Sequence, residues 1–122
     1  MNPEIAKQKK RVVCPVELAL RILGGKWRGS ILYQLIGGPL AFNALKDRVQ
    51  DAVVCNSLEE DHYLSAKVLA EHLAMLQEYE LVVKIPANGT NGTSAHAYSL
   101  TEKGKSAVPL LMDLFDWGNT FY

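Results

Sequence analysis

Two cysteines are the residues of this 122-residue chain best suited to covalent chemistry. Cys14 stands directly before Pro15, which opens the first helical pattern, and Lys10 and Arg11 lie just upstream. A helix N-terminus and nearby cations both favour the thiolate, the form of cysteine that oxidants and electrophiles attack. The same placement suits a small buried residue at a helix entrance, so spacing alone leaves both interpretations open.

Cys55 lies in an acidic stretch, residues 51–62, which also contains Asp51, Glu59, Glu60, Asp61 and His62. Its thiol could resolve an oxidised Cys14, within one chain or across a dimer. His62 and the neighbouring carboxylates could bind a metal, but their spacing matches no compact ligand motif, and acidic runs are usually solvated. We therefore expect no metal site and no cofactor.

No motif of the sequence predicts an enzyme. The chain has no glycine-rich phosphate loop, no supported Ser-His-Asp set and no HExxH motif, and "GGKW" (24–27) is not a P-loop. Because no apolar run reaches the roughly 20 residues of a membrane helix, and no signal-peptide pattern follows the first charges, we expect a cytoplasmic protein without membrane contact.

The net charge predicts no long-range attraction to nucleic acid, since 13 basic residues balance 13 acidic ones. The charges are, however, unevenly distributed along the chain. Residues 1–13 form a basic arm, and residues 14–122 are predicted to form one domain, in which 51–62 is an acidic segment. With 48% hydrophobic residues, the chain has enough apolar side chains for a single core.

Helical periodicity appears in four segments before the first clear strand. The first three are residues 15–23, 27–36 and 43–50, with Asn43 as the expected N-cap of the third helix. Residues 50–64 match neither period and are predicted to be an inserted loop, in which 52–55 could form a short strand. Ser65 caps the fourth helix, which carries Val68, Leu69, Leu73 and Leu76 on one face.

Two β-branched runs, 81–86 and 96–100, flank a Gly/Asn/Thr-rich tip and predict a hairpin. Thr101 then caps a last helix over about 102–120, whose apolar surface exceeds what one small domain leaves in water. The order predicts a mainly α fold with a small β-wing, a winged helix-turn-helix that dimerises through its terminal helices. Its second helix-turn-helix helix is predicted at 65–79.

Four motifs resemble those of the HxlR family of winged helix-turn-helix (MarR-like) transcriptional regulators. They are the Cys-Pro start, Gly-Gly-Lys-Trp (24–27), Gly-Pro-Leu-x-Phe-Asn (38–43) and Tyr-Ser-Leu-Thr-Glu-x-Gly (98–104). The resemblance implies a homodimer that binds pseudo-palindromic operator DNA. It also implies that some members sense electrophiles or oxidants through a cysteine before the first helix, which here is Cys14.

Three features depart from the family's pattern. The outer face of the fourth helix carries Ala66, Ala70 and Ala74 where the family usually has polar residues. The wing tip has no arginine or lysine, and residues 50–64 replace a connection of only a few residues. These departures favour an alternative, a winged-helix-derived module that binds a protein or ligand and has lost DNA affinity.

We nevertheless predict a homodimeric, sequence-specific DNA-binding transcriptional regulator that responds through Cys14 to an oxidant, a small electrophile or another effector. The expected DNA-binding residues are Lys26, Arg28, Asn43, Ser65, Lys67, His72, Asn88 and Asn91. Lys26 and Arg28 could equally be surface cations beside a core Trp27. The expected dimerisation residues are Leu111, Leu114, Phe115 and Trp117.

Overall fold

The computed structural model, which describes residues 14–24, 27–56, 63–87 and 95–122, has the predicted succession of helices and wing strands, except that the last helix is divided in two. The elements are α1 (Pro15–Leu23), α2 (Arg28–Gln34), β1 (Leu40–Ala41), α3 (Phe42–Asn56), α4 (Ala66–Glu78), β2 (Val82–Ala87), β3 (Ala95–Leu100), α5 (Glu102–Ser106) and α6 (Val108–Phe121). A short 3-10 turn, Leu35–Gly37, follows α2.

The core is formed mainly by aliphatic side chains from three helices. They are Ile31 and Leu32 of α2, Leu45 and Val49 of α3, and Leu69, Leu73 and Leu76 of α4. Their spacing along α3 and α4 is that of one helical face, which the sequence predicts for α4. Trp27 is also buried, which confirms it as a core residue. Truncating one such aliphatic side chain to alanine typically costs about 2–5 kcal/mol.

The wing is an antiparallel hairpin of β2 and β3, and β1 pairs with the other side of β3. Tyr98 of β3 lies between Leu40 on one side and Lys84 on the other. Because β1 leads directly into α3, this pairing attaches the start of the helix-turn-helix to the wing. The expected tip residues Asn88 and Asn91 lie outside the described residues.

The third helix is longer than the sequence suggested. It begins at Phe42, so Asn43 lies in its first turn and is not its N-cap, and it continues to Asn56. The prediction of a loop at 50–56, with a strand at 52–55, is therefore wrong. Leu45, Val49 and the half-buried Ala52 continue the helical period toward the core, and this burial outweighs the β-propensity of the local valines. Residues 57–62 lie outside the described residues.

The expected last helix is divided in two. Thr101 is the N-cap of α5, as predicted, since its hydroxyl accepts a hydrogen bond from the Gly104 N–H at 2.9 Å. The helix then stops at Ser106 and a new one begins at Val108. Pro109 lies in the first turn of α6, and proline has no N–H to donate to the carbonyl four residues earlier.

Gly104 allows α5 to approach the end of α4 closely. A Cβ at this position would lie 2.1 Å from the Leu81 carbonyl oxygen, closer than two such atoms can approach. The Thr101 N–H donates to the same Leu81 carbonyl at 3.0 Å. The glycine of the Thr-Glu-x-Gly motif is therefore required by packing between backbones.

We expect Gly104→Ala to lower the free energy of unfolding by about 2 kcal/mol, because the clash outweighs alanine's better helix propensity. Urea unfolding would measure the change. The control is Gly37→Ala, where a Cβ meets no atom within 4 Å; we expect that variant to stay within about 0.5 kcal/mol of the parent. Equal effects of the two substitutions would contradict the close approach.

Candidate nucleic-acid interface

The start of α4 is held by its own cap and by α3. Ser65 has extended backbone angles, and its hydroxyl accepts a hydrogen bond from the Val68 N–H at 3.1 Å. One residue earlier, the Leu64 N–H donates to the side-chain oxygen of Gln50 on α3. The fully buried Leu64 side chain adds an apolar contact at the same point. The first turn of α4 therefore has a fixed position relative to α3.

The end of α4 is closed by a Schellman motif. The Leu81 N–H donates to the Leu76 carbonyl at 2.9 Å, and the Glu80 N–H donates to the Gln77 carbonyl at 3.0 Å. Glu80 adopts the left-handed conformation that this motif requires, with φ of +64°. Lys103 of α5 donates to the Tyr79 carbonyl at 2.9 Å, so a cation also lies at the negative end of the helix.

The outer face of α4 is fully presented to solvent. Its exposed residues are Ala66, Lys67, Ala70, Glu71, Ala74, Met75, Gln77 and Glu78. Lys67 is the only cation among them, against the two carboxylates of Glu71 and Glu78. The shape therefore suits a major groove, while the charge of this face contributes little attraction to phosphate.

Other cations lie on the elements that adjoin α4, and the sequence analysis missed them as candidates. Lys46 and Arg48 are on α3, and Lys84 is on β2. The Lys46 ammonium lies 5.4 Å from the ring centre of the exposed Tyr63, just before α4. Arg48 has no hydrogen bond or ion pair with another residue that the structure describes. Lys46 and Arg48 lie within the helix predicted at 43–50, and their charge next to the fourth helix is the signal that could have identified them.

Arg28, an expected phosphate contact, points toward other helices. Its guanidinium donates to the Arg21 carbonyl of α1 at 2.9 Å and to the Met75 sulfur of α4 at 3.1 Å. Its Nε also donates to Nδ1 of His72, at 3.4 Å. The same side chain therefore touches both the first helix and α4.

His72, another expected DNA contact, is half-buried between Arg28 and the surface. Burial is the main cause that lowers the pKa of His72 below its usual value of 6.5, and the nearby Arg28 guanidinium lowers it further. The Glu71 carboxylate acts in the opposite direction. The imidazole is therefore held in its neutral form, in which Nδ1 can accept the hydrogen bond from Arg28.

Most of the remaining expected site residues are exposed or lie outside the described residues. Asn43, Lys67 and Cys14 are exposed, and Ser65 is half-buried with its hydroxyl in the helix cap. Lys26 lies outside the described residues, as do the wing-tip asparagines, while Cys55 falls within α3.

Cys14 is the N-cap residue of α1 and a free, exposed thiol. Its side chain makes no capping hydrogen bond, while its carbonyl accepts the Leu18 N–H at 2.9 Å. Nearby on α1, the side chains of Val16 and Leu20 are 66% and 59% exposed. The thiol therefore lies at one end of an exposed apolar helix face.

The last helix exposes a larger apolar surface. Leu114, Phe115 and Trp117 are all about half exposed, and Phe115 stacks on Tyr33 of α2 with ring centres 5.3 Å apart. Leu111 differs from these three, because it is only 6% exposed and packs in the core of its own chain. Its side chain is thus committed to the fold, which leaves the other three as the accessible candidates for dimerisation.

Within the described ranges, no three His, Cys, Asp or Glu side chains lie together where they could hold a metal ion. None of the helices in those ranges has the length and apolar character that crossing a membrane requires.

Acidification should destabilise the fold through His72. Because its pKa is lowered in the folded chain, the unfolded chain takes up this proton first as the pH falls below 6.5. The contribution of neutral His72 to the free energy of unfolding is therefore present above pH 6.5 and is lost as the pH falls below that value. Urea unfolding at about pH 7.5 and about pH 5.5 should show a larger loss in the parent than in His72→Gln, whose amide accepts a hydrogen bond without titrating. Equal losses would contradict this role.

Comparison with known proteins agrees with the predicted resemblance. The HxlR-like helix-turn-helix family model matches residues 22–122. The uncharacterized HTH-type transcriptional regulator YvaP of Bacillus subtilis is 35% identical over 109 residues, which cover 86% of this chain and 85% of that protein.

Two solved structures of regulators share the fold. The redox regulator HypR in its reduced form superimposes with a TM-score of 0.69 at 27% identity, covering 88% of this chain and 92% of that one. The reduced form of the transcriptional regulator YodB from B. subtilis gives 0.65 at 27% identity, covering 90% and 95%. The predicted winged helix-turn-helix is thereby confirmed, and the protein belongs to the HxlR-like family of DNA-binding transcriptional regulators.

Proposed function

We propose that the protein acts as a homodimer that binds a specific operator, with α4 of each protomer in one of two successive major grooves. The observation that carries this proposal is the placement of α4, whose apolar side is buried, whose two ends are fixed, and whose outer face is exposed. In a two-fold dimer, the two reading helices would lie about one turn of DNA, ~34 Å, apart. We call α4 the reading helix from here on.

Contacts to phosphate would come mainly from around the reading helix. Lys67 supplies one cation on the helix, and Lys46, Arg48 and Lys84 supply others on adjoining elements. Ser65 can also contribute, because its hydroxyl oxygen accepts the capping hydrogen bond while the O–H remains a donor. Such contacts position the protein, and the exposed side chains of the reading helix then meet base edges.

The apolar surface of α6 supports dimerisation. Leu114, Phe115 and Trp117 are exposed apolar side chains that a monomer would leave in water, and Phe121 at the helix end packs against Trp117 with ring centres 5.4 Å apart. Large apolar patches of this kind usually mark protein–protein contacts, and aromatic side chains dominate the energy of such contacts. The exposed Val16 and Leu20 on α1 provide a second apolar strip for the same partner.

A redox response would begin at Cys14. A hydroperoxide converts a thiolate to a sulfenic acid and is itself reduced to water or an alcohol. A second thiol can then displace water to form a disulfide, and Cys55 is the other cysteine of the chain. Because Cys14 adjoins the exposed strip of α1, either product would alter the surface next to the proposed dimer contact. The likeness to the redox regulator HypR supports this proposal.

The second candidate function is a protein- or ligand-binding module without DNA affinity. It is favoured by the exposed charges of the reading helix, since Glu71 and Glu78 outnumber Lys67. A DNA reader that neutralises several phosphates loses orders of magnitude in affinity between about 50 and about 200 mM salt. The salt dependence of binding therefore separates the two candidates.

We expect Lys67→Gln to weaken operator binding by about tenfold and to reduce the slope of log affinity against log salt by about two, because each of the two protomers then neutralises one phosphate fewer. Fluorescence anisotropy with a duplex from upstream of the gene would measure both. Lys105→Gln is the matched control, because Lys105 lies on α5 and pairs with Glu102 at 3.5 Å. No salt-dependent binding by the parent protein would favour the second candidate.

Replacing Cys14 by serine should leave operator binding of the reduced protein intact and abolish its response to peroxide. Anisotropy before and after a mild peroxide treatment would show the difference. Cys55→Ser separates the two products, because it blocks a Cys14–Cys55 disulfide but not a sulfenic acid. An unchanged peroxide response in Cys14→Ser would contradict the sensor role.

A further inference from the structure

The Arg28 guanidinium joins three helices although it belongs to only one of them. As the first residue of α2, it donates from Nη1 to the carbonyls of Arg21, at 2.9 Å, and Ile22, at 3.4 Å, near the end of α1. From Nη2 it donates to the Met75 sulfur at 3.1 Å, and from Nε to Nδ1 of His72 at 3.4 Å. Met75 and His72 both belong to the reading helix.

These contacts pair carbonyl groups at the end of α1 that would otherwise lack a hydrogen bond within the helix. The last carbonyl groups of a helix have no partner within the helix, and an arginine side chain can supply donors to them. A glycine is needed at position 24, where the chain leaves α1, because a Cβ there would lie 2.2 Å from the Leu20 carbonyl oxygen. Arg28, four residues later, lies beside the carbonyls that it caps.

The guanidinium has little capacity left for DNA. Arginine carries five N–H donors in a rigid planar arrangement. Four contacts already use all three of its nitrogens. A phosphate contact would require some of these bonds to break, so the expected role of Arg28 as a phosphate ligand competes with its contacts to α1 and the reading helix.

The connection matters because packing attaches α1 to the core mainly at its C-terminal end. No residue of α1 is fully buried; Ile22 and Leu23 pack partly against the core, while Val16 and Leu20 are largely exposed. Cys14 stands at the exposed start of the same helix. A helix with few buried side chains is displaced at low cost, and a planar guanidinium that bonds both helices couples their positions.

We propose that Arg28 is a positioning residue that sets the placement of the reading helix relative to α1, and that it transmits displacements of α1 to the DNA-binding face. The inference rests on the proposed function, in which the reading helix contacts the operator and Cys14 lies at the start of the responsive helix. Arg28 then acts on operator recognition without touching the DNA.

The first experiment compares Arg28→Lys and Arg28→Gln with Lys67→Gln in operator and scrambled duplexes at several salt concentrations. Lysine keeps the charge but is a single point donor, so it cannot reproduce the contacts to two helices. A positioning role predicts that both Arg28 variants lose about tenfold or more in the ratio of operator to scrambled affinity, with an unchanged salt slope. Lys67→Gln, by contrast, should lower the slope.

A phosphate contact predicts a different pattern, in which Arg28→Lys retains affinity and Arg28→Gln weakens both duplexes equally with a smaller salt slope. That result would overturn the inference. Unchanged binding by both variants would also overturn it. If the Arg28 variants do not fold, Gly24→Ala displaces the end of α1, where a Cβ would lie 2.2 Å from the Leu20 carbonyl oxygen, and should lower the same affinity ratio without changing the reading helix.

A second readout needs no DNA and so separates this inference from the proposed function. The imidazole of His72 titrates beside Arg28 and Glu71, and its signal can be assigned with His72→Gln. Losing the Arg28 charge should raise the pKa of His72 in an NMR titration of Arg28→Gln. An unchanged titration in the folded variant would show that the contact is absent in solution. A raised pKa without any operator binding by the parent would instead count against the proposed function alone.

Discussion

The attachment of α4 to the core is the constraint on which the rest of this structure depends. Three leucines, Leu69, Leu73 and Leu76, bury one side of the helix almost completely. The Ser65 cap at one end and the Schellman motif at the other satisfy the backbone groups that a helix leaves unpaired. A helix fixed in this way presents its outer face without further ordering, which is what a groove-reading element needs.

In the proposed complex, shape recognition and attraction to phosphate are assigned to different parts of the molecule. The reading helix would supply shape, with small side chains and Lys67, while cations on α3 and β2 would supply most of the adjoining positive charge. The Arg28 guanidinium belongs to neither group, because it connects the reading helix to α1. Under the proposal, the fit to an operator depends on helix placement, so a chain of zero formal net charge could still be selective.

The sequence predicted most of what periodicity and capping determine, with the cap at Asn43 as an exception, and it failed where tertiary contacts decide. The buried face of α4, its Ser65 cap and the wing follow from local patterns. The extension of α3 to Asn56 did not, because two adjacent valines match strand and helix equally well until burial selects one. The direction of the Arg28 side chain and the burial of Leu111 depend on how the helices pack against one another. The type of a residue alone does not predict that packing.

The central claim is that two reading helices engage two half-sites together. The most direct measurement is anisotropy on the upstream duplex and on a version with about five base pairs, half a helical turn, inserted between the half-sites. The account predicts that the insertion reduces binding to the level of a scrambled duplex, because the second half-site then faces the opposite side of the DNA. Undiminished binding to the altered duplex would contradict a dimer that reads both half-sites.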